Sequence, residues 1–77
     1  MKTYTVVGTS VRNGRQAVRY SNANPVVRGQ HMLKTGNTMI ALYQLPHPMN
    51  REDAHNAFMD FDCEAAAPAY RSPDYPV

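Results

Sequence analysis

An α+β fold, ββββα with a small antiparallel sheet and one C-terminal helix packed on one face, is predicted by three stretches of this chain. Asn13-Gly14 stands between two alternating runs, residues 38 to 45 form the most apolar segment, and Asn50 opens a stripe of apolar residues at helical spacing. Seventy-seven residues make one small domain, so a core of helix on sheet is expected and a deep enclosed active site is not.

The hairpin organises the rest. A type I′ turn needs positive φ at both central residues, and Asn-Gly supplies them. With the bend at 13/14, Arg12 faces Arg15, Val11 faces Gln16, Ser10 faces Ala17, Thr9 faces Val18, Gly8 faces Arg19 and Val7 faces Tyr20. Alternation then sends Val7, Thr9, Val11, Val18 and Tyr20 to one face and Arg12, Arg15 and Arg19 to the other. Tyr4 is placed with the arginines.

Ser21-Asn22-Ala23-Asn24-Pro25 reads as a loop, because Pro25 biases Asn24 away from helical backbone. Val26 to Leu33 reads as a strand interrupted at Gly29, where a bulge or edge position is expected. A turn at Lys34 to Asn37 leads into Thr38 to Leu45, apolar on both sides of the alternation, as suits a central strand. Pro46-His47-Pro48 is expected to end that strand, since proline donates no ladder hydrogen bond.

The predicted helix follows. Asn50 can cap it, Glu52 and Asp53 suit the positive end of its dipole, and Ala54, Ala57, Phe58 and Phe61 fall on one stripe for the hairpin's apolar face. Arg51, Glu52, His55, Asn56 and Asp60 are expected nearer solvent. The domain is therefore drawn over residues 1–61. Residues 62–77, with Pro68, Pro73 and Pro76 between Tyr70 and Tyr75, read as an extended or disordered tail. Such a tail can also lie along a surface groove, its own or a partner's, which makes Tyr70 and Tyr75 candidate contact residues.

Charge is divided along the chain. Residues 1–49 carry Lys2, Arg12, Arg15, Arg19, Arg28 and Lys34 without an acid, whereas residues 50–77 carry all six acids against Arg51 and Arg71. No apolar run reaches the length of a membrane span, MKTYTVV lacks the apolar block of a signal peptide, and one cysteine cannot make an internal disulfide. A cytoplasmic setting without a membrane partner is expected.

Catalytic chemistry finds little support in these residues. His31, His47, His55 and Cys63 lack the convergent spacing of a zinc site, and Asp62 and Glu64 disfavour a Cys63 thiolate. Gly29 and Gly36 make no phosphate-cradling motif. The expectation is a protein that is not an enzyme and has no cofactor or metal.

The order MKTYTVVGTSV, AVRYSN and KTGNTMIALYQLPHPMNREDAHNAFM resembles a group of small accessory-type proteins of phage genomes, particularly marine ones. That group pairs a YTV-G-S strand with a VRYAN strand and places an L-LP-PM-(T/N)-(K/R)-E-A junction before a short helix. Val18-Arg19-Tyr20-Ser21-Asn22, Leu45-Pro46-His47-Pro48-Met49 and Asn50-Arg51-Glu52-Asp53-Ala54 match in spacing, with Asp53 departing in type. The resemblance covers residues 1 to 61 and transfers no catalytic residue. It implies a phage accessory protein that acts by contact, in the cytoplasm of the host cell.

Three functions follow as expectations. The first is binding and modulation of a host or viral protein through an open sheet face that mixes Arg12, Arg15 and Arg19 with Val6 and part of the 39–45 strand. A homodimer through that face is compatible with it. The second is nucleic-acid binding by the arginine ribbon, and the third is a minor virion component.

Overall fold

The hairpin forms as expected in the computed structural model, which describes residues 2–60 and 67–75. Strands β1 (Tyr4–Arg12) and β2 (Arg15–Ser21) join through Asn13 at φ 54° and Gly14 at φ 75°, the left-handed pair that a type I′ turn requires. Every expected cross-strand pair from Arg12↔Arg15 to Val7↔Tyr20 is present, and Val6↔Ser21 extends the ladder.

Residues 25–34 correct the sequence reading. Expected as a strand with a bulge at Gly29, they form helix α1 (Pro25–Lys34). Asn24 Oδ1 accepts the N–H groups of Val26 at 2.9 Å and Val27 at 3.3 Å, so Asn24 is an N-cap rather than the end of a loop. Proline at the first helical position sacrifices no hydrogen bond, because that N–H has no partner within the helix. Gly29, Met32 and Leu33, at i, i+3 and i+4, then turn inward, where Gly29 and Met32 are buried.

Sheet order explains why a helix stands there. The four strands run β2-β1-β3-β4, with β3 (Thr38–Met49) and the two-residue β4 (Tyr70–Arg71) completing an antiparallel sheet. β2 and β3 flank β1 and both oppose its direction, so they are parallel to each other. Parallel strands need a crossover, and α1 supplies it.

The second helix, α2 (Arg51–Asp60), begins where expected. Asn50 Oδ1 accepts the Asp53 N–H at 2.7 Å, and Ala54 and Phe58 are buried. Together with Val7, Ala41, Tyr43 and Leu45 they make one core, against which Val18 and Tyr20 pack. Phe61, the last residue of the expected stripe, and Cys63 lie outside the described residues.

The opposite face carries a helix as well, over β3, which corrects the single-helix, open-face expectation. Val6, Ile40 and Leu42 pack with Met32 of α1 in a second core, so Val6 is 1% exposed and Ile40 is fully buried. The apolar residues that were to mix with arginine on an exposed surface are beneath α1. Two-sided apolarity in β3 is the signature of a strand covered on both faces.

One further expectation changes, and of the alternatives for the tail, residues 70–75 take the groove of their own domain. Pro46-His47-Pro48 does not end β3; the ladder skips from Val6↔Gln44 to Tyr4↔Met49, and the Pro-flanked residues bulge out between the two pairs. Residues 70–75 lie along their own domain. Ser72, buried, accepts the Ile40 N–H at its Oγ at 2.8 Å, donates its own N–H to the Ile40 carbonyl at 2.9 Å, and bonds Asp74 through its hydroxyl. Asp74 Oδ2 accepts the N–H of Met39, whose φ is 51°. Tyr70 packs into the α1-side core and Tyr75 against the α2-side core, so the segment wraps the β3 edge.

Candidate functional site

Arg12, Arg15 and Arg19 share the face opposite α2, as their alternation requires. Their register neighbours are small: Gly8, Ser10 and Ala17 separate them on the same face. α1 covers that face over β3 and leaves the β2 side uncovered. Two recesses result, and they share Arg12 and Arg19. One, about 530 Å³, is lined by Arg12, Asn13, Arg15, Ala17 and Arg19 at the hairpin tip. The other, about 210 Å³, lies between ribbon and helix and adds Arg28, His31, Met32, Thr35 and Asn37. Together they form one basic trough, with no carboxylate in its lining.

Sequence reasoning missed the helix's contribution. Arg28, His31 and Thr35 are spaced i, i+3 and i+7, so a single helical face delivers all three to the trough. The Asn24-Pro25 pair was the signal, since reading it as a helix start makes the spacing of these residues meaningful.

Arg19 is the most constrained arginine. Its Nε–H donates to Ser10 Oγ at 3.0 Å, and the Ser10 hydroxyl donates to Asn37 Oδ1 at 3.1 Å. Asn37 in turn donates from Nδ2 to the Met32 carbonyl at 3.1 Å and to Thr35 Oγ1 at 3.3 Å. Ser10 is fully buried and Asn37 nearly so. A buried polar relay is tolerated where every member is satisfied, and this one joins β1, β2 and the end of α1. It fixes Arg19 through one nitrogen and leaves the two terminal amino groups for another partner. No acidic side chain among the described residues pairs with Arg12, Arg15, Arg19 or Arg28.

The other expected contact residues are elsewhere. Tyr4 stands on the α2 face, its ring centroid 5.5 Å from that of Tyr20. Tyr70 and Tyr75 are half-buried in the two cores, with the Arg71 guanidinium 5.5 Å from the Tyr75 ring. His55, expected toward solvent, is half-buried and hydrogen-bonds through Nδ1 with Tyr20 Oη at 3.1 Å, while Arg51 lies 5.0 Å over the Tyr20 ring. His47 is exposed, with Nδ1 3.1 Å from the Pro48 carbonyl.

Among the described residues no three His, Cys, Asp or Glu side chains converge as metal ligands. No described helix is long and apolar enough to cross a membrane. Chemically, the trough offers fixed guanidinium donors for an anion. Comparison with protein-family models, curated proteins and solved structures produced no match to this chain.

Proposed function

We propose that this protein is a small non-enzymatic accessory protein, of the phage type its sequence resembles, that binds nucleic acid through the Arg12, Arg15 and Arg19 face. The observation that carries this reading is the trough. Its exposed side chains are cationic, polar or small, and the apolar residues that made a protein interface the first expectation are buried under α1. A surface of arginines without acidic partners gains its binding free energy from phosphate contacts and the release of condensed counterions. The six acids fall after residue 50, and the three of α2, Glu52, Asp53 and Asp60, stand on the opposite face of the sheet from the trough.

The test is fluorescence anisotropy with 20-nucleotide DNA, single-stranded and duplex, in low and moderate salt. Binding that weakens steeply with salt and is lost in Arg12→Ala/Arg15→Ala supports the reading. Failure to bind either form at low salt overturns it.

A second reading keeps a host or viral protein as partner. Val26 and Val27, 43% and 61% exposed, stand at the start of α1 beside Arg28, and apolar area next to arginine suits a protein contact. An acidic protein would then occupy the same trough, and its capture would need both Arg12 and Val27.

A further inference from the structure

We propose that the trough takes the phosphate backbone of a nucleic-acid duplex, with Arg19 gripping one phosphate between β2 and α1. This rests on the nucleic-acid reading above. Three observations carry it, and each concerns a different property of the site.

The inner recess is the first. At about 210 Å³ it is smaller than the roughly 300–1,000 Å³ of pockets that enclose drug-sized ligands. Arg12 and Arg19 stand on one wall and Arg28, His31 and Thr35 on the other. A cleft with guanidinium groups on both walls suits a phosphate group.

Arg19 is the second. Serine and asparagine buried beneath a surface arginine cost more to desolvate than apolar residues would. Their arrangement, Arg19 to Ser10 to Asn37 to the Met32 carbonyl, orients the guanidinium across the recess before any ligand arrives. A planar fork held in place recognises two oxygens of one phosphate at once. Ser10 and Asn37 are positioning residues in this scheme.

The third is where the aromatic rings lie. Binding of single strands draws on base stacking, about 1–3 kcal/mol per base. Tyr4, Tyr20, Tyr43 and Phe58 stand with the α2-side core, and Tyr70 and Tyr75 are engaged in the wrap over β3. None of them lines the trough. Without stacking, affinity follows charge density, and a duplex carries about one charge per 1.7 Å of axis, twice that of one strand. From Arg15 to Arg19 the ribbon advances about 13 Å at roughly 3.3 Å per residue. Arg12, Arg15 and Arg19 on the ribbon and Arg28 on the helix across the recess together meet about four phosphates.

The experiment titrates the full chain against a 20-base-pair DNA duplex and against one of its strands, from low to moderate salt. Expected are duplex binding at least tenfold tighter and a slope of log K against log salt of about −3 to −4. Arg19→Ala should shallow that slope by about one and weaken binding about tenfold. Ser10→Ala keeps all four charges, so it should weaken binding severalfold with the slope unchanged. Arg19→Lys, which keeps the charge and whose fold is checked by thermal melting, should fail to restore the affinity, because lysine has neither the Nε–H that Ser10 holds nor a fork. A single strand bound as tightly as the duplex overturns the inference while leaving the nucleic-acid reading standing. So does full affinity in Arg19→Lys. No binding of either form overturns both.

Discussion

The ring of Tyr70 occupies the space that a side chain at position 29 would need: a Cβ built on Gly29 would run into its Cδ2 and Cε2. α1 can therefore approach β4 only because residue 29 has no side chain, and the C-terminal wrap is tied to the crossover helix through this contact.

Gly29→Ala tests that dependence. Alanine improves helix propensity by about 1 kcal/mol, whereas overpacking against a ring body costs about 1–3 kcal/mol. The steric cost is expected to win, with a net loss of up to about 2 kcal/mol in urea unfolding. Adding Tyr70→Ala to Gly29→Ala should remove the clash, so the double variant loses less than the sum of the single ones.

Asn24→Ala should destabilise the protein by about 1 kcal/mol, because it leaves the N–H groups of Val26 and Val27 without their cap. A strand at this position would be indifferent to the change. The measurement is the denaturant midpoint at constant m-value.

The turn provides a cleaner backbone case. Nothing lies within 4 Å of a Cβ built at Gly14, so Gly14→Ala creates no clash. Its expected cost, about 1–2 kcal/mol, is that of holding a β-carbon at φ 75°. Thermal melting checks it, and an unchanged stability would show that the turn can relax.

Acid should loosen the C-terminal wrap. The Ser72 hydroxyl and the Met39 N–H both donate to the Asp74 carboxylate, and they hold its pKa below the ordinary value of 3.8. In the unfolded chain Asp74 binds its proton more readily. Its contribution to stability is therefore complete above about pH 5 and is lost as pH falls below 3.8 through the lower folded value. Compared with Asp74→Asn across pH 2 to 7, the stability difference should be largest near neutrality and shrink toward the acid end.

Legibility in the sequence followed the range of the interaction. Asn13-Gly14 specified a turn, the turn specified the register, and the register assigned Val7 and the arginines to opposite faces without reference to the rest of the chain. Asn50 and the Ala54 to Phe58 spacing located α2 in the same local way. For residues 26–33, β-branched Val26 and Val27 and the mid-segment Gly29 weighed toward strand, but the cap at Asn24 and the covering of Val6, Ile40 and Leu42 outweighed them. The same misreading hid Arg28, His31 and Thr35 from the trough.

By itself, then, the amino-acid order determined the hairpin, its pairing and the separation of aliphatic from cationic side chains, because turn geometry and alternation act over a few residues. Only the tertiary structure decided that β3 would pair on the far side of β1. That choice forces a crossover, and the crossover lays a helix over half of the face that would otherwise be open. What stays uncovered is the strip where Arg19 rests on Ser10 and Asn37, a contact between residues 9 and 27 positions apart that no local pattern encodes.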